Sequence, residues 1–135
     1  MKELNLTASD DTLYTVLDEV RGLLENAGAT EDQIIPIAIA VEEVYVNIAH
    51  CAYGGKPGEA IVGMEIEQDP RAIKLVFKDR GIPYNPLEKE DPDITLSAEE
   101  RGIGGLGIFM VKNTMDKVEY EYSGGQNILS MEKAF

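Results

Sequence analysis

With 135 residues and 44% hydrophobic content, the chain is sized for one domain with a real core and is short for two. Its 25 acidic against 12 basic residues leave a formal charge of −13, a field that repels nucleic-acid phosphates and anionic membrane surfaces and so speaks against direct binding to either. A single cysteine, Cys51, rules out an internal disulfide; with no signal-peptide pattern in MKELNLTASDD and no uninterrupted apolar run of bilayer-spanning length, a cytoplasmic location is expected.

Residues 2–7 (KELNLT) alternate weakly, as a strand would. Ser9 is then a candidate N-cap, with Asp10, Asp11 and Thr12 in the first turn of a helix whose apolar positions are Leu13, Val16, Leu17, Val20, Leu23 and Leu24. Gly28 is placed to end it. Thr30 or Asp32 caps a second helix, with a buried face of Ile34, Ile37, Ala38, Val41, Val44, Tyr45, Ile48 and Ala52 running to the Gly54-Gly55 stop. Residues 60–67 and 72–79 are β-like runs around a turn containing Asp69 and Pro70, which predicts a hairpin. From Gly81 to about Arg101 the periodicity is lost, and Pro83, Pro86 and Pro92 mark a long loop of the kind that serves function. The run GIGGLG (102–107) leads into a short helix, and two strands joined at Gly124-Gly125 close the chain. The order β-α-α-β-β-loop-α-β-β predicts an α+β, two-layer sandwich with helices on one face of a mixed, mostly antiparallel sheet.

Three stretches carry polar chemistry. In EEVYVNIAHCAY (42–53), helical spacing puts Glu43, Asn47 and the lone histidine, His50, on one stripe beside an apolar face. A carboxylate and an amide one turn apart are oxygen ligands suited to Mg²⁺, which keeps several waters and is completed by substrate phosphates. His50 is either a member of that site or a satisfied histidine at the helix end, and the second reading is preferred. With no His/Cys cluster, a zinc site is not expected. In DRGIPYNP (79–86), Asp79 ends an apolar strand two residues before Gly81; it is either an ordinary turn or a carboxylate at the sheet's mouth, able to accept from an exocyclic amine. The glycines of GIGGLG at a helix start suit phosphate binding through bare backbone N–H groups, or equally a closely packed loop; neither a Walker A nor a Rossmann fingerprint is present.

In this order and spacing, EEVYVNIAHCAY, DRGIPYNP and GIGGLGIFMVKNTMD resemble the asparagine box and the two glycine boxes of the Bergerat (GHKL) ATP-binding fold. Within that superfamily the chain resembles the small bacterial anti-sigma factor serine kinases of the RsbW and SpoIIAB type, from about residue 5 to 133, so residues 1–135 are expected to form a single ATP-binding, kinase-like domain.

The resemblance implies ATP and Mg²⁺ as ligands. Asn47 would hold the metal and Glu43 would be the general base. Asp79 would accept the adenine amino group, with Gly81 giving the ring room. Gly104, Gly105, Leu106 and Gly107 would cradle the phosphates, and Ser130 would assist Asp79 through water; apart from the resemblance, Lys112, one turn into the third helix, is placed to offset the acidic field at the site. Relatives commonly have a histidine where this chain has Cys51, and often a small residue in place of Tyr45. The implied activity is transfer of the ATP γ-phosphate to a serine of an anti-anti-sigma (STAS-type) protein, with a sigma factor as second partner and a homodimer as the assembly. The alternative is a non-catalytic, ATP-dependent module that sequesters a sigma factor or other regulator. A sensor histidine kinase is not expected, as these residues show no phosphoacceptor helical hairpin ahead of the ATP motifs.

Overall fold

The computed structural model describes residues 1–88 and 106–135. Strand β1 (Lys2–Thr7) leads to helix α1 (Asp10–Asn26), whose start is closed by a capping box. Ser9 Oγ accepts the Thr12 N–H at 3.2 Å and Thr12 Oγ1 accepts the Ser9 N–H at 3.2 Å, satisfying two amides that a helix start would leave bare. Helix α2 (Glu31–Asn47) begins the same way with Thr30 and Gln33, so Thr30, not Asp32, is its cap.

Tyr45, the departure from the family's small residue, is fully buried and its hydroxyl lies 2.6 Å from Thr12 Oγ1. Its bulk fills the α1–α2 seam while its polar end joins the α1 cap, so no buried oxygen is left unpaired. Burial raises the phenol's pKa, the Thr12 contact acting in the opposite sense.

Strands β2 (Glu59–Glu67), β3 (Ala72–Asp79), β4 (Lys117–Ser123) and β5 (Gln126–Ala134) complete a five-stranded sheet in the order β1-β2-β3-β5-β4. All four pairings are antiparallel, so the described sheet has no parallel component. Alternate residues face the helices: Val62 and Met64 on β2, Leu75 and Phe77 on β3, Leu129 and Met131 on β5. Helices α1, α2 and α3 (Leu106–Thr114) cover that face. Buried side chains of this size each contribute about 1.5–3 kcal/mol by leaving water, which makes the two-layer core the main stabilising element.

Beyond Asn47 the helix widens into a π-turn over Ile48–Ala52. Together Glu31–Ala52 spans 22 residues that are long and apolar enough to cross a membrane by length and composition, more than the sequence reading allowed. Here Ile34, Ile37, Val41, Val44 and Tyr45 of that segment are core residues packed on the sheet.

Candidate functional site

A cavity of about 470 Å³ opens between the C-terminal part of α2 with its π-turn, the ends of β3 and β5, and the start of α3. Its walls are mainly apolar, including Val44, Ile48, Phe77, Ile82 and Leu129, with Asn47, Asp79, Tyr120 and Asn127 as polar groups. An apolar slot of this size with few convergent polar groups suits a flat heterocycle.

The polar floor follows from strand register. Asp79 ends β3 and pairs directly with Asn127 on β5, and both are buried. Asn127 Nδ2 donates to Asp79 Oδ1 at 2.9 Å and to the Ile82 carbonyl at 3.1 Å. Asn127 Oδ1 accepts the Tyr84 N–H at 3.1 Å and the Tyr120 hydroxyl. The Gly81 N–H donates to Asp79 Oδ1 at 2.9 Å. Every buried polar side-chain atom in the described residues has a partner. Burial raises the pKa of Tyr120, with the Tyr84 backbone N–H acting in the opposite sense and the nearby acidic groups adding to the rise.

Gly81 was expected to leave room for a ring, but it does not line the cavity. A Cβ there would stand 2.1 Å from the Ala52 carbonyl oxygen. The Ile82 N–H donates to that same carbonyl at 2.9 Å, so the π-turn and the loop after β3 are in backbone contact that tolerates no side chain. The π-turn also breaks the stripe drawn on helical spacing. His50 turns outward, exposed, and its Nε2 lies 2.8 Å from Asp10 Oδ1 on α1, outside the cavity. Cys51, the next residue, lines the cavity instead.

Asn47 is half-buried on the cavity wall and makes no side-chain hydrogen bond among the described residues. Its amide oxygen is thus available to a hard cation, and no cluster of three His, Cys, Asp or Glu among the described residues would compete as a transition-metal site. Glu43, one turn earlier, lies against the first turn of α3. A Cβ on Gly107 would fall 2.1 Å from Glu43 Oε2, so glycine is what admits the carboxylate to that helix end, where the helix dipole favours negative charge.

Ser130 is corrected by strand parity. Buried Asn127, Leu129 and Met131 alternate with Ser130, which lies on the opposite sheet face among Lys74, Lys117, Glu119 and Glu132 and cannot reach Asp79. The residue that does reach Asp79 is Asn127, missed in the sequence although an amide in the inward register of an apolar strand was its signal. Gly104 and Gly105 lie outside the described residues; Leu106 and Gly107 open α3.

A family model described as the histidine kinase-like ATPase domain matches residues 6–133. The chain belongs to the histidine kinase-like ATPase domain family. Within this family it is RsbW-like: it is 31% identical over 132 residues to a serine-protein kinase RsbW of Staphylococcus aureus, covering 90% of this chain and 80% of the relative. A second RsbW from another strain of that species is 30% identical over the same span. Among solved structures, the RsbU and RsbW domains of a Mycobacterium tuberculosis protein superpose with a TM-score of 0.65 at 17% identity, covering 99% of this chain and 32% of that one. The SiaB–SiaC complex of Pseudomonas aeruginosa gives 0.64 at 15% identity, covering 100% of this chain and 90% of the other. These two likenesses establish the histidine kinase-like ATPase fold.

Proposed function

We propose that this chain is an anti-sigma regulatory factor with ATP-dependent serine-protein kinase activity toward an anti-anti-sigma partner. One observation carries the proposal. A buried carboxylate, Asp79, lies at one end of an apolar cavity whose wall carries Asn47, and Glu43 lies a helical turn beyond at the start of α3. The kinship to serine-protein kinases RsbW supports the same activity.

Adenine would enter the slot with its exocyclic amine toward Asp79. The triphosphate would extend past Asn47 toward the first turn of α3, where Gly107 and, before it, Gly104, Gly105 and Leu106 would offer backbone N–H groups. The Asn47 oxygen would hold Mg²⁺, which when bound supplies neutralisation of phosphate charge and offsets the repulsion of a chain at −13. Glu43 takes the proton of the partner's serine hydroxyl as that oxygen bonds to the γ-phosphorus; the bond from phosphorus to the β–γ bridging oxygen breaks and ADP leaves. A sigma factor as second partner, a homodimer and a cytoplasmic location complete the proposal.

The test is phosphate transfer from γ-labelled ATP with Mg²⁺ to a purified anti-anti-sigma protein from the same organism. Glu43→Gln should slow transfer by roughly 10²- to 10⁴-fold, the usual contribution of a general base, and leave ATP affinity within a few-fold. Transfer undiminished in that variant would sink the base assignment, and no transfer by the unaltered chain would favour the non-catalytic sequestering module.

A further inference from the structure

We infer that Asn127 is a positioning residue that sets the hydrogen-bond polarity of the Asp79 carboxylate, and through it the cavity's preference for an exocyclic amine over a carbonyl. The inference rests on the proposed binding of a purine nucleotide in this cavity.

It starts from groups whose polarity cannot change. The Tyr84 backbone N–H only donates, and it points at Asn127 Oδ1 from 3.1 Å. The Ile82 carbonyl only accepts, and it faces Asn127 Nδ2 at 3.1 Å. Two independent backbone groups therefore fix which end of the amide is oxygen, an assignment an isolated asparagine would leave open. The Tyr120 hydroxyl adds a second donor at Oδ1.

With the amide so oriented, Nδ2 must present a proton to Asp79 Oδ1 at 2.9 Å. The Gly81 N–H adds another at 2.9 Å. Oδ1 thus receives two N–H donors, while Oδ2 has no hydrogen bond among the described residues and belongs to a side chain that lines the cavity. The cavity floor offers an acceptor. An adenine amine completes it, whereas a guanine carbonyl would set oxygen against oxygen and leave a buried group unpaired. Loop 81–84, which forms part of the wall, is held by the same amide, so polarity and wall position are set together.

Asn127→Asp is nearly isosteric and reverses the end that faces both Asp79 and the Ile82 carbonyl. Two carboxyl groups would then meet and must share a proton to stay in contact. Among the described residues, the titratable and charged neighbours include Asp79 on β3, Tyr53 after the π-turn and Arg80 beside Asp79, Tyr120 and Tyr122 on β4, and Glu88 in the turn after the loop. The full chain is titrated calorimetrically with ATP and GTP in the presence of Mg²⁺, as wild type, Asn127→Asp and Tyr120→Phe, with circular dichroism to verify folding.

Wild type should prefer ATP. At about pH 8, Asn127→Asp should lose roughly tenfold or more of its ATP affinity and regain most of it near pH 5.5, where the shared proton returns. Equal loss at both pH values, or none, would overturn the inference, because a residue that merely filled space would give a pH-independent effect. Tyr120→Phe should weaken ATP binding a few-fold and keep the preference, as the Tyr84 N–H still orients the amide; if Asn127→Asp does not fold, wild-type affinity in Tyr120→Phe is the result that overturns it. A wild-type chain without preference for ATP over GTP would instead remove the adenine assignment on which the inference stands.

Discussion

At the Asp79 end of the cavity the polar groups are buried and tied together: Asp79, Asn127, Gly81, Ile82, Tyr84 and Tyr120 share one hydrogen-bonded network. At the other end, Asn47 and Glu43 are half-buried and neither has a side-chain hydrogen bond among the described residues. The first end is assembled by the fold itself, so the pocket for the proposed adenine is preorganised and little ordering is left to occur on binding. The second offers an amide oxygen and a carboxylate, to which the proposed reaction assigns the triphosphate, the cation and the protein substrate as partners. Among the described residues, one cavity thus joins a finished polar network to a pair of open polar groups.

That contrast can be broken most sharply at Gly81. Gly81→Ala drives a Cβ into the Ala52 backbone, where no side-chain rotation relieves the overlap, and should cost about 2–3 kcal/mol of stability in thermal or urea unfolding. ATP affinity should fall with it, because the displaced loop carries Ile82 and Tyr84. An unaltered melting temperature would show that the π-turn and loop are not in rigid contact.

At the open end the effect should be smaller and conditional. Asn47→Ala should lower ATP affinity roughly tenfold with Mg²⁺ present, in keeping with the loss of one ligand to a charged centre, and leave the melting temperature of the ligand-free chain nearly unchanged. Chelation of Mg²⁺ should erase the difference between variant and wild type; persistence of the difference under chelation would place the asparagine on the nucleotide and not on the metal.

The smallest effect is expected at His50. It and Asp10 are both exposed, and an exposed pair contributes at most about 1 kcal/mol, so His50→Ala should shift stability slightly and ATP affinity not at all. A clear loss of ATP binding would return His50 to the cavity.

Much of the site was legible before the fold was known, for identifiable reasons. Glu43 and Asn47 sit a helical turn apart within a regular α-helix, so their spacing translated directly into neighbouring positions. Asp79 ended an apolar run and proved to end a strand. The stripe failed at His50 because extrapolation at helical spacing crosses from α2 into the π-turn, where the residue-to-residue rotation changes, and the preferred reading of a satisfied histidine at the helix end holds, with Asp10 as its partner. Ser130 failed because a side chain's face in a strand reverses with each residue, and its place was inferred from resemblance without testing that parity. Tyr45 looked anomalous only until its hydroxyl was seen to complete the α1 cap.

Local periodicity, caps and turn residues were sufficient to define the order of helices and strands and the two-layer class, because each is encoded within a turn or two of contiguous chain; the nucleotide-binding reading of the three motifs came from their resemblance to a family. Which polar residue meets Asp79, and why Gly81 must be glycine, depended on contacts between segments distant in sequence. The β3–β5 register sets Asn127 beside Asp79, and the closure of the π-turn on the loop after β3 removes all space for a side chain; neither is expressed in the residues of one segment alone.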